Sequence, residues 1–419
     1  MTARYLIAAF VTANLAAGAV CAQDLLIKGA RVYTIAAAGT LENADVLIRA
    51  GRIAEVGTGL AAPADVTVIE AKGRALTPGL FGGLTQIGLE EVSLEPSTVD
   101  AELELMAPAW QHHWRPEFDV TPAFNPRSSL VPVARIEGMT WTMLAPLSDR
   151  SLIAGQGAAV TLDGRFDAVL DGSRSLFVNW GSAGDEGSGG SRAAQFMLFD
   201  QAIREVRQPE TAGEGALLLP EGRAALKAYL AGGRVVFRAE RASDIRQLVH
   251  YAKRHGIKPV IAGGSEAWLF AEELAAADVP VLLDVLDNLP GDFDRLGARL
   301  DNAALLHAAG VRIAFSYDDS HQARKNRQLA GNAVAHGLPW HAALAAITSS
   351  PAEIFGVGND RGRIEKGKAA DLVLWSGDPL EVTTVADQVW IAGQPVEMRS
   401  RQTGLRDRYL ERLRSNSAR

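Results

Sequence analysis

RVVFRAERASDIRQLVHYAKRHGIKPVIAG, residues 234–263, decides the fold. Val235, Val236 and Phe237 make a short apolar run of the kind that is buried on both faces of a parallel sheet. From Ser243 the spacing changes to the helical period, with Ile245, Leu248, Val249 and Ala252 on one face. Ser243 is the expected N-cap and Gly256 the expected C-terminal glycine. KPVIAG (258–263) is then a second strand. Working outward, Ser265 is placed to cap SEAWLFAEELAAA, VPVLLDV is a third strand, DNAALLHAAG a helix and VRIAFSY a fourth strand. Val/Ile/Leu-rich strands alternating with amphipathic helices predict parallel βαβ units, and four of them fit the last half of a (β/α)8 barrel.

The ends of the chain read differently. LLIKGARVYTI, ADVLIRAGRIAEVG and ADVTVIEAKG each pair a β-rich run with a glycine break, and ADLVLWSGDP and DQVWIAGQPVEM repeat that texture near the other end. The expected architecture is therefore α/β: a TIM-like barrel with a small β-sandwich formed from both ends of the mature chain. The divisions are a signal peptide at 1–22, sandwich at 23–75, barrel at 76–364, sandwich at 365–400 and a terminal helix or tail at 401–419. The glycine-heavy WGSAGDEGSGGS (180–191) is expected to be a mobile loop.

Composition narrows the function classes. The chain has 419 residues, 47% of them hydrophobic, and a formal net charge of −7. No basic excess exists to neutralise a phosphate backbone, so nucleic acid is not an expected partner. Arg4 followed by an apolar, alanine-rich run to Val20, with Val20 and Ala22 before Gln23, predicts a cleaved secretory signal and a periplasmic or secreted product. The run is too short for a spanning helix. Cys21 hints at lipid attachment, but Val20 is bulky for that. Cys21 is also the one cysteine, so the mature chain has no disulfide, thiolate ligand or cysteine nucleophile.

Two seams carry a resemblance. AKGRALTPGLFGGLTQIGLEE (71–91) is similar to the amidohydrolase superfamily where its sandwich hands over to the first barrel strand. AVAHGLPWHAALAAITSSPAEIFGVGNDRGRIEKGKAADLVLWSGDPLE (333–381) resembles the family's closing segment. It has a Gly-Leu helix start, an Ala-Leu-x-x-Ile-Thr helix, a Pro-Ala pair, a Gly362-x-Ile-x-x-Gly-Lys hairpin and an Ala-Asp-Leu-Val strand. The layout looks closest to the imidazolonepropionase-like branch. The resemblance implies hydrolysis of amide or cyclic-amide C–N bonds by water activated on zinc or another divalent ion, held by histidines at the barrel mouth. In the family's PGL-x-D-x-H-x-H run, two imidazoles two residues apart on a strand share one face.

Against that pattern this sequence places Gly82 at the aspartate and Leu84 and Gln86 at the two histidines. Arg238 falls at the strand-five ligand and Ala262 or Gly263 at the strand-six ligand. Asp318 matches the strand-eight aspartate. Expected metal ligands are thus none, and no cofactor is expected. Asp318 and His321 are the candidate catalytic pair, with Glu90 or Glu91 as helpers. Arg238, Gln86 and Glu266 are the candidate ligand-binding residues, Arg238 as an anchor for a carboxylate or a pair for Asp318, and Glu266 alternatively as a helix-start carboxylate.

His112 and His113 alternate in direction and make a weak metal pair. His250, His255, His307, His336 and His341 fall on predicted outer helices. Three functions stay open: a degenerate member that binds a small molecule or partners an intact homologue, an atypical C–N hydrolase with a rebuilt or mononuclear site, and a structural module. A homo-oligomer is a further possibility under each.

Overall fold

The computed structural model describes residues 24–103, 114–148, 150–317 and 319–417. The expected signal peptide at 1–22, His112, His113 and Asp318 lie outside the described residues.

The chain opens with β1 (Leu25–Tyr33), β2 (Thr40–Arg49) and β3 (Arg52–Gly57) as an antiparallel meander. β4 (Thr67–Glu70) and β5 (Ala75–Pro78) both run parallel to β1, β4 along its first half and β5 along its second. The change of partner follows a register shift after Ile27, where Gly29 takes a φ of 63° and its N–H donates to Asp45 Oδ1 at 2.8 Å.

At Gly79 the chain leaves this sheet. β6 (Leu80–Thr85) and β7 (Met139–Leu144) pair in parallel. β8 (Ile153–Gly157) then lies antiparallel to β10 (Ser175–Asn179), and β9 (Ala159–Thr161) antiparallel to β7. From β10 onward the order is regular, with β11 (Arg234–Ala239), β12 (Lys258–Gly263), β13 (Val281–Leu283) and β14 (Ile313–Phe315) each parallel to the strand before it.

The fold is thus α/β with one antiparallel excursion that breaks the expected uniform alternation. β8 and β9 are two halves of one bent segment bridging a six-stranded and a three-stranded sheet. A Cβ at Gly157 would sit 1.8 Å from the Leu144 carbonyl oxygen, so a side chain there would block the crossing. On the other flank β14 reaches β6 through a side chain: Leu84 N–H donates to Ser316 Oγ at 2.8 Å. Phe81, Trp141, Phe177, Val236, Val260, Leu282 and Ala314, one each from β6, β7 and β10 to β14, are buried in a single apolar cluster.

The chain then returns. β15 (Leu372–Trp375) pairs antiparallel with β5, Leu372 facing Pro78, and β16 (Ala386–Ile391) and β17 (Gln394–Pro395) extend the edge. Both ends therefore share one eight-stranded mixed sheet.

Local expectations need four corrections. The helix after β11 spans Ala242–His255 and ends on Gly256 at φ 73°, but Ser243 is exposed and does not cap it. Its first turn is capped from a distance, Ala242 N–H donating to Glu266 Oε2 at 2.9 Å. Ser265 likewise does not cap the segment that follows it, because its hydroxyl donates to Glu240 Oε2 at 2.7 Å. The glycine-rich 180–191 stretch folds as two short turns clasped by Gln195, whose amide both accepts from Gly181 N–H (2.9 Å) and donates to its carbonyl (2.7 Å). Gly362–Lys368 is a turn rather than a hairpin; its N–H groups bond across to the sheet, Ile364 to Thr34 O and Gly367 to Ile53 O.

Candidate functional site

Parallel βα units put functional loops at the carboxyl ends of their strands. A cavity of about 420 Å³ lies there. Leu84, Arg238, Ala262, Gly263 and Leu282 line it from strand ends, and Ser316 and Asp284 from the residues just beyond. Trp180 and Ser182 form another wall, and Glu240, Asp287 and Arg295 close the rim. A larger groove of about 610 Å³ lies outside the strands, where the Ala242–His255 helix meets Ala276–Val279, and carries no comparable convergence of strand ends.

Arg238 dominates the mouth. Its guanidinium donates to Asn179 Oδ1 and to the Pro146 carbonyl, both at 3.1 Å, and stands over the Phe177 ring, 5.8 Å from the centroid. These contacts orient the fork without burying it, since the residue stays half-buried at the cavity wall.

Across the cavity Glu240 is pinned from two sides. Oε2 accepts from Ser265 N–H (3.0 Å) and Oγ–H (2.7 Å), and Oε1 lies 3.5 Å from Arg295 Nη2. Arg295 also pairs with Asp287. The 284–300 loop that carries Asp287 and Arg295 is anchored at Asp294, a buried carboxylate clamped by Arg192 (2.5 Å) and by Ser182 N–H (3.1 Å). Burial alone would raise the Asp294 pKa, but these hydrogen bonds hold it below the usual carboxylate range.

The other expected site residues separate into two groups. Gln86 is 8% exposed and its amide is spent, Nε2 donating to Ala145 O (3.0 Å) and Oε1 accepting from Ser320 Oγ (2.9 Å). Glu266 is spent too: besides capping the Ala242 helix it accepts from Gly297 N–H at 2.7 Å, so both oxygens serve backbone. Neither lines the cavity. His321 instead meets Glu90, Nε2 lying 3.6 Å from Oε1. Glu91 accepts from Ser129 N–H and Oγ–H, which holds its carboxyl low despite the opposing pull of burial.

Burial raises the Glu90 pKa above the ordinary carboxylate value, nearby Asp319 adds to this, and His321 and Ser320 oppose it. A raised carboxylate pKa places the native state's advantage at low pH. It is fully present below the unfolded pKa and is lost as pH rises through the folded one. Glu90→Gln is therefore expected to leave stability unchanged near pH ~4 and to raise the melting temperature by about 2 °C at pH ~8. Thermal melts at the two pH values check this; an equal shift at both would remove titration as the cause.

Do these residues suit a divalent ion? Leu84 has no donor, the Gln86 amide is already committed, Arg238 offers only N–H groups, and Ala262 and Gly263 offer no side-chain donor. Among the described residues no cluster of three His, Cys, Asp or Glu is gathered as a metal cage. These five positions do not supply donors for the ion that the family resemblance implies.

The 284–300 loop was missed by the sequence reading, although Asp284, Asp287 and Arg295 follow a strand that was recognised. The signal available was their position at and just after the end of VPVLLDV (279–285), the strand's functional end.

Comparison with known proteins matches residues 224–396 to the amidohydrolase family. An amidohydrolase from Thermotoga maritima is similar over 90% of this chain and 100% of its own, with a TM-score of 0.77 and 25% identity. A zinc-bound adenosine deaminase from Xanthomonas campestris shares the fold at a TM-score of 0.53 and 19% identity, covering 94% of this chain and 99% of its own. The imidazolonepropionase of Acidiphilium cryptum is 30% identical over 160 residues, 36% of this chain and 33% of that protein. A 58-residue stretch, 14% of this chain, is 50% identical to a Hapsidospora irregularis amidohydrolase, of which it covers 6%. The matched segments thus span a third or less of these curated relatives' length. The chain belongs to the amidohydrolase superfamily.

Proposed function

We propose that this is an exported superfamily member in which the mouth cavity binds a small carboxylate-bearing molecule without a metal ion. The proposal takes the two strand arcs to close as a TIM-like barrel around that cavity, with Ser316 and Ser320 tying the exit of β14 to β6. One observation carries it: the Arg238 guanidinium stands at the cavity wall where the family's strand-five histidine would be, held by Asn179 and Pro146. A fixed cation repels a metal ion and accepts a carboxylate in a bidentate fork. Elemental analysis of purified protein is expected to find no stoichiometric divalent ion. Saturating small carboxylates, screened as amino acids and dicarboxylates, are expected to raise the melting temperature by about 2 °C in the native protein and not in Arg238→Met. About one tightly held divalent ion per chain would end the proposal.

The His321–Glu90 contact favours a second reading, an atypical C–N hydrolase. There Asp318 activates water and the imidazole, paired with a buried carboxyl, passes a proton. Asp318→Asn should then abolish turnover, and unchanged activity would exclude it.

A further inference from the structure

The chain ends its described residues in a 17-residue helix, Arg401–Ser417, which touches the Leu130–Arg135 helix and is exposed from Arg406 to Ser415. Tyr409, Leu410 and Leu413 on it are 57%, 43% and 62% exposed, three uncovered apolar side chains within five residues. Leu405, Tyr409 and Leu413 recur every four residues and so stack along one face, with Leu410 beside them.

The charges follow the same geometry. Arg401, Arg408 and Arg412 fall along one flank of the apolar stripe and Arg414 along the other, whereas Asp407 and Glu411 fall on the opposite face. Arg406 interrupts the stripe and turns back to Asp407, Nε to Oδ1 at 2.9 Å. Five arginines against two acids make this helix locally basic on a chain whose net charge is −7.

Cations on both margins of an apolar face, with acids at the centre of the polar face, are the pattern of a helix lying in a bilayer interface. The apolar side chains enter the acyl boundary and the flanking cations sit at headgroup level. A long arginine within the stripe can lift its head to the same level. Arginine rather than lysine suits this, because its planar fork matches a phosphate oxygen pair. Among the described residues no helix is long and apolar enough to cross a membrane, so the contact would be one of lying on the surface.

We propose that Arg401–Ser417 docks the protein reversibly on an anionic phospholipid surface. The occupant is set by charge complementarity: phosphates on a plane answer the Arg401, Arg408 and Arg412 row and Arg414 together.

Flotation of the purified full-length chain with vesicles tests it. Binding to phosphatidylglycerol mixed with phosphatidylcholine is expected to exceed binding to phosphatidylcholine alone by at least about tenfold, and to fall as salt is raised. Leu413→Glu and the pair Arg408→Glu, Arg412→Glu should each abolish it. These sites are exposed, so the variants should keep the parent melting temperature. Equal binding to both vesicle types, or none at low salt, would overturn the proposal. So would a concentration-dependent dimer in light scattering that Leu413→Glu dissolves, since the stripe would then be covered by a second copy.

Discussion

Replacing Asp371 with alanine is expected to destabilise the protein by about 3–5 kcal/mol, measured as the loss of unfolding free energy in urea. Asp371 stands at the entrance to β15, the strand that returns the chain to its first sheet, and only 5% of it is exposed. Its side chain and backbone together reach three segments. Oδ2 accepts from Arg361 Nη1 at 2.7 Å, and Oδ1 from the Ala392 N–H at 2.8 Å in the turn between β16 and β17. Its own carbonyl accepts from Gly79 N–H at 2.8 Å, at the seam between the two sheets.

Burial pushes the Asp371 carboxyl upward in pKa and Arg361 pulls it back. Removing the carboxylate leaves Arg361, itself 6% exposed, with Asp360 at 2.9 Å as its remaining carboxylate partner, and strands a backbone N–H. Asp371→Asn keeps an oxygen for Ala392 and should lose less. A loss under about 1 kcal/mol for the alanine variant would mean that the pair contributes geometry and little energy.

This segment shows where sequence patterns suffice. Ala-Asp-Leu-Val followed by a glycine turn is legible because a buried strand needs a continuous apolar run, and Leu372, Val373 and Leu374 supply one. The 234–263 alternation is legible for the same reason: Ile245, Leu248 and Ala252 sit at the helical period and are buried as expected. What failed was anything decided by residues distant in the chain. Ser243 has the right chemistry for a cap, yet the first-turn N–H is taken by Glu266, 24 residues on, and local propensity carries no trace of that. Gln86 looks like a free donor in sequence because its two partners, Ala145 and Ser320, lie far away. The crossing at Gly157 depends on the Leu144 carbonyl, which no periodicity reports. Patterns of period two and 3.6 report which face is buried; they do not report which polar atom answers which.

A second large effect is expected at the end of β12. Gly263 lies at the end of β12, one of the two positions, with Ala262, to which the family resemblance assigns the strand-six ligand, and it adopts a φ of 99°. That backbone region penalises any side chain. A Cβ there would also sit 2.2 Å from Glu240 Oε1 and 2.6 Å from its carboxyl carbon. An exposed glutamate would swing aside at little cost, but this one is held by Ser265 N–H and Oγ–H and faces Arg295. Gly263→Ala is therefore expected to cost about 2–4 kcal/mol, combining backbone strain with the displaced carboxylate. A double-mutant cycle separates the two. In a Glu240→Ala background the clash is gone and only strain remains, so the cost of Gly263→Ala should fall by at least about 1 kcal/mol. Equal costs in both backgrounds would place the whole penalty in the backbone. A histidine at 263 carries the same Cβ into the same carboxylate, so restoring this one ligand type displaces Glu240 before its imidazole can face the cavity. The pinned Glu240 carboxylate thus occupies the space into which any side chain at 263 would have to project.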